Sequence, residues 1–168
     1  LTKALNITPI PYCYYLRGLI KADNLDKPDE ALPDFEMVVK YDPTSHIGYF
    51  ARGNITYQQK EYDKAIENYN TAIELYPDYP EAYDHLGATL GQKGDLAGAI
   101  AKFTQAIKID PSYAKAYMNR GTTYAMQGDI ERAVKDLDET IKLAPRYTSA
   151  FIYRSTVYLQ KGDIERAI

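Results

Sequence analysis

Five prolines, Pro9, Pro43, Pro77, Pro111 and Pro145, stand 34 residues apart without exception. A fixed period of this length marks a chain built from one repeated supersecondary unit. Between the prolines the same columns return. An aromatic residue (Tyr14, Tyr49, Tyr83, Tyr117, Phe151) is followed four positions later by a small one (Gly18, Gly53, Gly87, Gly121, Ser155). Further on come an alanine column (Ala31, Ala65, Ala99, Ala133, Ala167), a large apolar residue four later (Phe35, Tyr69, Phe103, Leu137) and a small or β-branched one three beyond that (Val38, Ala72, Ala106, Thr140). Spacings of three and four put each set on one face of a helix.

Each unit holds two helices, and Gly94-Asp95, Gly128-Asp129 and Gly162-Asp163 mark the break between them. Glycine reaches the left-handed conformation that ends a helix, and aspartate accepts from the free N–H groups that begin the next. The proline closes the unit because it cannot continue a helix. One such hairpin cannot bury its own apolar face, but a stack of them can.

The first unit departs from the pattern. Pro9 to Tyr14 is one residue short, Gly18 to Ala31 is one residue long, and Pro33 falls where the second helix should be under way. That helix is expected to start late or kink. A second departure is an arginine column, Arg17, Arg52, Arg120 and Arg154, broken by Leu86. The arginine stems must pack while their heads reach solvent or a carboxylate.

The columns resemble those of the tetratricopeptide repeat family, in which a leucine often stands where these arginines do. The resemblance covers nearly the whole chain and implies an all-α fold, a right-handed α-solenoid of tandem antiparallel helix pairs. Residues 1–168 then form one repeat domain: 1–10 end a preceding repeat, 11–45 form an irregular first repeat, 46–79, 80–113 and 114–147 follow, and 148–168 open a fifth. Both ends fall within a unit, so the natural protein is expected to extend on both sides, and bare repeat faces at the ends invite self-association.

Composition narrows the function classes. The chain is 45% hydrophobic and 26% charged with a formal charge of -3, which gives no footprint for binding nucleic acid. No apolar run has the length of a membrane span. The single cysteine, Cys13, falls in a column of small residues (Gly48, Ala82, Ala116, Ala150) and reads as packing rather than as a nucleophile. One cysteine suits a reducing compartment, and the expected location is cytoplasmic. His46 and His85 lie in different units without ligand-spaced partners, so no metal site is expected. Asn6-Ile7-Thr8 and Asn54-Ile55-Thr56 match the glycosylation triplet but fall on expected helices. No nucleophile, base or phosphate-cradling loop is evident, and neither catalysis nor a cofactor is expected.

What remains is binding. The resemblance implies a concave groove lined by the first helix of each repeat. If the aromatic and glycine columns face the core, a stripe displaced by one residue, about 100° round the helix, faces that groove. In order the candidates are Tyr12, Tyr15 and Leu19; Phe50, Asn54 and Tyr57; Asp84 with His85 beside it; Lys115, Met118 and Thr122 with Asn119 beside them; and Ile152 with Tyr153 beside it. Tyr12, Tyr15, Phe50 and Tyr57 make an aromatic cluster suited to gripping an apolar partner, or else to repacking the irregular first unit. The carboxylate clamp of some family members would need Lys and Asn where Phe50 and Asn54 stand, Asn in place of His85, and Lys and Arg at Lys115 and Asn119; only Asn54 and Lys115 fit, and the missing Arg removes the bidentate grip on a carboxylate. An asparagine ladder, another family pattern, finds only Asn119.

The expected function is a non-catalytic adaptor or scaffold that holds a peptide or helix of a partner protein. The alternative is the targeting arm of a longer enzyme.

Overall fold

The computed structural model describes residues 11–24 and 28–167. The chain divides into two compact units, residues 1–78 and 79–168. Among the described residues every regular element is a helix, and there is no strand.

The first unit contains α1 (Pro11–Leu19), α2 (Pro28–Tyr41), α3 (His46–Gln58) and α4 (Tyr62–Leu75). α1 packs on α2, α3 on α4, and α2 joins the two pairs by packing on α3. The second unit contains α5 (Pro80–Gln92), α6 (Leu96–Ile109), α7 (Ala114–Met126), α8 (Ile130–Leu143), α9 (Thr148–Lys161) and the short α10 (Ile164–Ala167). Here α5 pairs with α6 and α7 with α8, α6 meets α7, and α8 meets α9. The first helices of these pairs also touch one another, α5 with α7 and α7 with α9. Both units are therefore tandem antiparallel helix pairs of all-α class.

The repeating columns make the core. Ala31, Ala65, Ala99 and Ala133 are wholly buried, as are Phe35, Tyr69, Leu86 and Leu137 to within about one percent. Each large side chain removed from water in this way stabilises the fold by about 1.5–3 kcal/mol. The glycine column makes room for the large residue of the paired helix. A Cβ on Gly53 would lie 2.6 Å from Tyr69 Cε1, and one on Gly87 2.8 Å from Phe103 Cε1.

The turns form as the residues dictate. Gly94, Gly128 and Gly162 have φ of 88°, 80° and 79°. The following aspartate N–H donates back to Leu90, Tyr124 and Tyr158, the bond that closes a helix end through a left-handed residue. Asp95 and Asp129 accept from the N–H groups of Gly98 and Arg132 at 2.8 and 3.0 Å and so cap α6 and α8. The pair α3 and α4 lacks the glycine, yet Lys60 takes φ of 62° and Glu61 N–H still donates to Thr56. Between pairs, Asp42 and Asp110 accept from the backbone N–H and the hydroxyl of Thr44 and Ser112, which folds the chain around Pro43 and Pro111.

The extra residue of the first unit is absorbed in a π-helical turn, Ile20–Asn24, directly after α1. A π turn places one more residue per turn and so inserts it without disturbing either face. The expectation for Pro33 needs correction on one point: α2 does not start late but begins at Pro28 and carries Pro33 within it. Proline's fixed φ is one that the helix accepts, and Pro33 is exposed near the N-terminal end of α2. Pro9, Asn6 and Thr8 lie outside the described residues.

Candidate functional site

The arginine column is the first feature that sequence periodicity left half-read. Each arginine stacks on the aromatic three residues before it: Arg17 over Tyr14, Arg52 over Tyr49, Arg120 over Tyr117 and Arg154 over Phe151, at 5.4, 5.0, 5.6 and 5.8 Å from the ring centroid. Three of the heads then reach the paired helix. Arg17 grips Asp34 through Nε and Nη2, Arg52 Nε donates to Asn68 Oδ1 at 2.6 Å, and Arg120 donates to both oxygens of Asp136. Arg154 turns back to Asp138 at 2.8 Å. Asp34, Asn68 and Asp136 are buried. Burial alone drives the Asp34 carboxyl upward, but the hydrogen bonds from Arg17 and Lys21 and their charges outweigh it and hold the group below the usual carboxylate range. At the exceptional pair, Leu86 stands in the arginine column and Lys102 in the column of Asp34, Asn68 and Asp136, and Lys102 Nζ sits over Tyr83 at 5.9 Å. The cation over the ring is kept and its helix of origin exchanged.

In the first unit the candidate residues fall on α1 and α3. Tyr12 is 60% exposed. The others are half-buried, and each leans on the second helix of a pair or on the core. Tyr15 lies 6.1 Å from Phe35, Phe50 5.8 Å from Tyr69 and Tyr57 5.7 Å from Tyr62, and Leu19 packs against the cluster of Ala31, Phe35, Ala51 and Ile55. Asn54 Oδ1 accepts from the Tyr69 hydroxyl at 2.9 Å. Burial raises both Tyr69 and Tyr57 above the usual phenol value.

In the second unit the structure brings four of the candidates into one constellation. Asp84, from α5, is fully buried. Asn119 Nδ2, from α7, donates to Asp84 Oδ1 at 2.7 Å. Lys115 Nζ, one turn earlier on α7, forms an ion pair with Asp84 Oδ2 at 3.3 Å and lies 3.3 Å from His85 Nε2. A fifth member was missed from sequence. The Tyr113 side chain, from the residue that precedes α7, lies near enough to Asp84 to favour its charged form. Its column, Tyr79, Tyr113 and Tyr147, reads as simple repetition, so the sequence gives no signal for this role. Burial raises the Asp84 carboxyl despite Lys115, Asn119 and Tyr113, and burial together with the Lys115 charge pushes His85 down to about 4.

Beyond this cluster the stripe turns apolar. Met118 and Thr122 are half-buried on α7, and Met118 packs against the core around Tyr124 and Leu137. On α9, Ile152 and Tyr153 are 61% and 45% exposed. Cys13 is a free, half-buried thiol on α1. Among the described residues no group of three or more His, Cys, Asp or Glu side chains is placed to hold a metal, and no helix is long and apolar enough to cross a membrane.

Stacked helix pairs with a partly exposed first-helix face define a protein-interaction module of the helical-repeat class. Two models of one family match: TPR repeat over residues 53–94 and 90–128, and tetratricopeptide repeat over 114–147. The chain belongs to the tetratricopeptide repeat family. A 55-residue stretch is 36% identical to the Hsp70-Hsp90 organizing protein of Triticum aestivum, a match that takes in 33% of this chain and only 10% of that relative. Among solved structures, MamA is similar with a TM-score of 0.79 and 25% identity, over 89% of this chain and 87% of its own. The first TPR of Spaghetti (RPAP3), bound to the HSP90 peptide SRMEEVD, is similar with a TM-score of 0.69 and 23% identity, over 72% of this chain and 96% of its own.

Proposed function

We propose that this chain is a non-catalytic adaptor segment that holds an extended or helical peptide of a partner protein along the first helices of its pairs. The repeats assigned to 11–45, 46–79, 80–113 and 114–147, with 148–168 opening another, each present one such helix. The observation that carries the reading is the division of α9 into two faces. Ala150 and Val157 are buried, whereas Ile152 and Leu159, on the opposite side of the helix, stay exposed, with Tyr153 partly exposed at the flank between the two faces. Exposed aliphatic and aromatic side chains in a row serve as anchors for a partner. Support comes also from a protein of the same fold, the first TPR of Spaghetti, which is bound to a peptide. On α1 and α3 the rings of Tyr15, Phe50 and Tyr57 are half-buried, and Tyr12 on α1 is exposed.

The free Cys13 and the lack of a membrane-crossing helix among the described residues fit a cytoplasmic location. Alanine replacement of Ile152 and Tyr153, and separately of Phe50 and Tyr57, tests the face. Partner affinity should fall at least about tenfold in variants that remain helical, the loss of roughly 1.4 kcal/mol expected of an interface anchor. Unchanged affinity in both folded variants would remove the proposal.

A further inference from the structure

The charge balance around Asp84 bears on which partner the second unit accepts. Lys115 is the cation of the α5 and α7 candidate stripe, and its side chain is 43% exposed, so it is open to a ligand. It already faces a carboxylate that is wholly buried and cannot turn away to water. Glu81, three residues before Asp84 on α5, lies one turn away on the same face of that helix. His85 is neutral near pH 7 and adds no charge. Two carboxylates, Glu81 and Asp84, against the one ammonium of Lys115 leave this face with a formal charge of -1. A partner carboxylate arriving at Lys115 would have to share the ammonium with Asp84 and sit beside a like charge. Asn119 offers no substitute for a cation, because its amide is uncharged and one of its N–H groups already donates to Asp84. Beside this face, α9 touches α7 and presents Ile152 and Leu159, seven residues apart on one side and 61% and 57% exposed.

We propose that Asp84 is a specificity-determining residue: by holding Lys115 in an internal ion pair it makes the second unit reject acidic segments and select an uncharged, aliphatic one. The proposal rests on the reading of the first helices as the holding face. It separates this chain from the neighbour bound to SRMEEVD, whose peptide carries three acidic side chains and a terminal carboxylate. Such repulsion against a wrong partner is as much a part of specificity as attraction to the right one.

The test uses the whole chain and two peptides, each dye-labelled through its N-terminal amine, in fluorescence polarisation: SRMEEVD, and the uncharged counterpart SQMQQVN with an amidated end. The wild type should bind the neutral peptide at least about tenfold more tightly. Asp84→Asn should raise affinity for the acidic peptide at least about tenfold and change the neutral one less than about threefold. Adding Lys115→Met should abolish that gain. Equal or tighter binding of the acidic peptide by the wild type overturns the proposal, and this comparison stands even if Asp84→Asn does not fold. A folded Asp84→Asn with unchanged acidic affinity, or no binding of either peptide by either protein, overturns it too. The paired change Ile152→Ala and Leu159→Ala separates the two ideas. If neutral binding is lost there but Asp84→Asn has no effect, the role of Asp84 falls and the holding face stands; if neutral binding survives in the folded variant, the face itself is wrong.

Discussion

Arg120 clasps Asp136 with Nε and Nη2 at 2.7 and 2.8 Å while its guanidinium lies over Tyr117, so one side chain joins two helices and covers an aromatic ring. Arg120→Leu leaves the buried Asp136 without its counter-charge, and removal of one partner of such a pair costs about 3 kcal/mol or more. The natural exchange at Leu86 and Lys102 indicates the rescue. Arg120→Leu combined with Asp136→Lys should recover at least half of the loss, read as the urea midpoint in a double-mutant cycle. Simple addition of the two single effects would contradict the exchange.

Asp34 and Asp84 should respond to pH with opposite signs. The folded protein holds Asp34 below its ordinary value of 3.8, so its contribution is present above that value and is lost as pH falls through the depressed one. Arg17→Met should therefore flatten the acid side of the stability profile. Asp84 is held above 3.8, so its contribution is full below that value and is lost as pH rises through the raised one. Asp84→Asn should accordingly gain stability relative to wild type as pH is raised from about 3.5 to 7. Lys115→Met, which strands the buried carboxylate, should lose stability over the same interval. Urea denaturation at several pH values reads all three.

Lys60 holds a left-handed conformation that costs a residue with a Cβ about 1–2 kcal/mol, in the place where the other three turns use glycine. Part of that is returned because glycine is more flexible when unfolded. Lys60→Gly should raise stability by about 0.5–1 kcal/mol, measured by thermal or urea unfolding. A loss would mean that the turn at Lys60 is not left-handed in solution.

Gly53→Ala should destabilise by about 1–3 kcal/mol through overpacking. Its new methyl meets the ring of Tyr69, which is fully buried and tied by its hydroxyl to Asn54, so the ring has nowhere to go. Gly121→Ala should cost less, because the nearest atoms stand at 3.1 Å. Calorimetric midpoints that rank the two the other way would contradict the packing.

The fold was legible because its determinants are periodic. Glycine, alanine and aromatic columns at a spacing of 34 specify helices, their faces and their turns together. The extra residue was visible as a count, but its π-helical accommodation at Ile20–Asn24 was not, since a count does not say which turn widens. The Asp34, Asn68, Lys102, Asp136 column escaped notice for another reason. Polar residues on a helix read as a solvent face, yet Asp34, Asn68 and Asp136 are buried because an arginine from the paired helix covers them. Only the joint change at Leu86 and Lys102 hints at the pairing. Of the candidate residues, Asp84 and Lys115 follow from the one-residue displacement and His85 and Asn119 stand beside that stripe, but their mutual contacts depend on how α5 meets α7 and are not readable from sequence.

Site-specific photocrosslinking tests most directly whether the first-helix face holds the partner. A photoreactive residue placed at the exposed Ile152 of α9, and in a second protein at the exposed Lys135 of α8, gives two probes in the same unit. The account predicts covalent capture of a partner peptide from position 152 and none above background from 135. Capture from 135 alone, or equally from both, would contradict it.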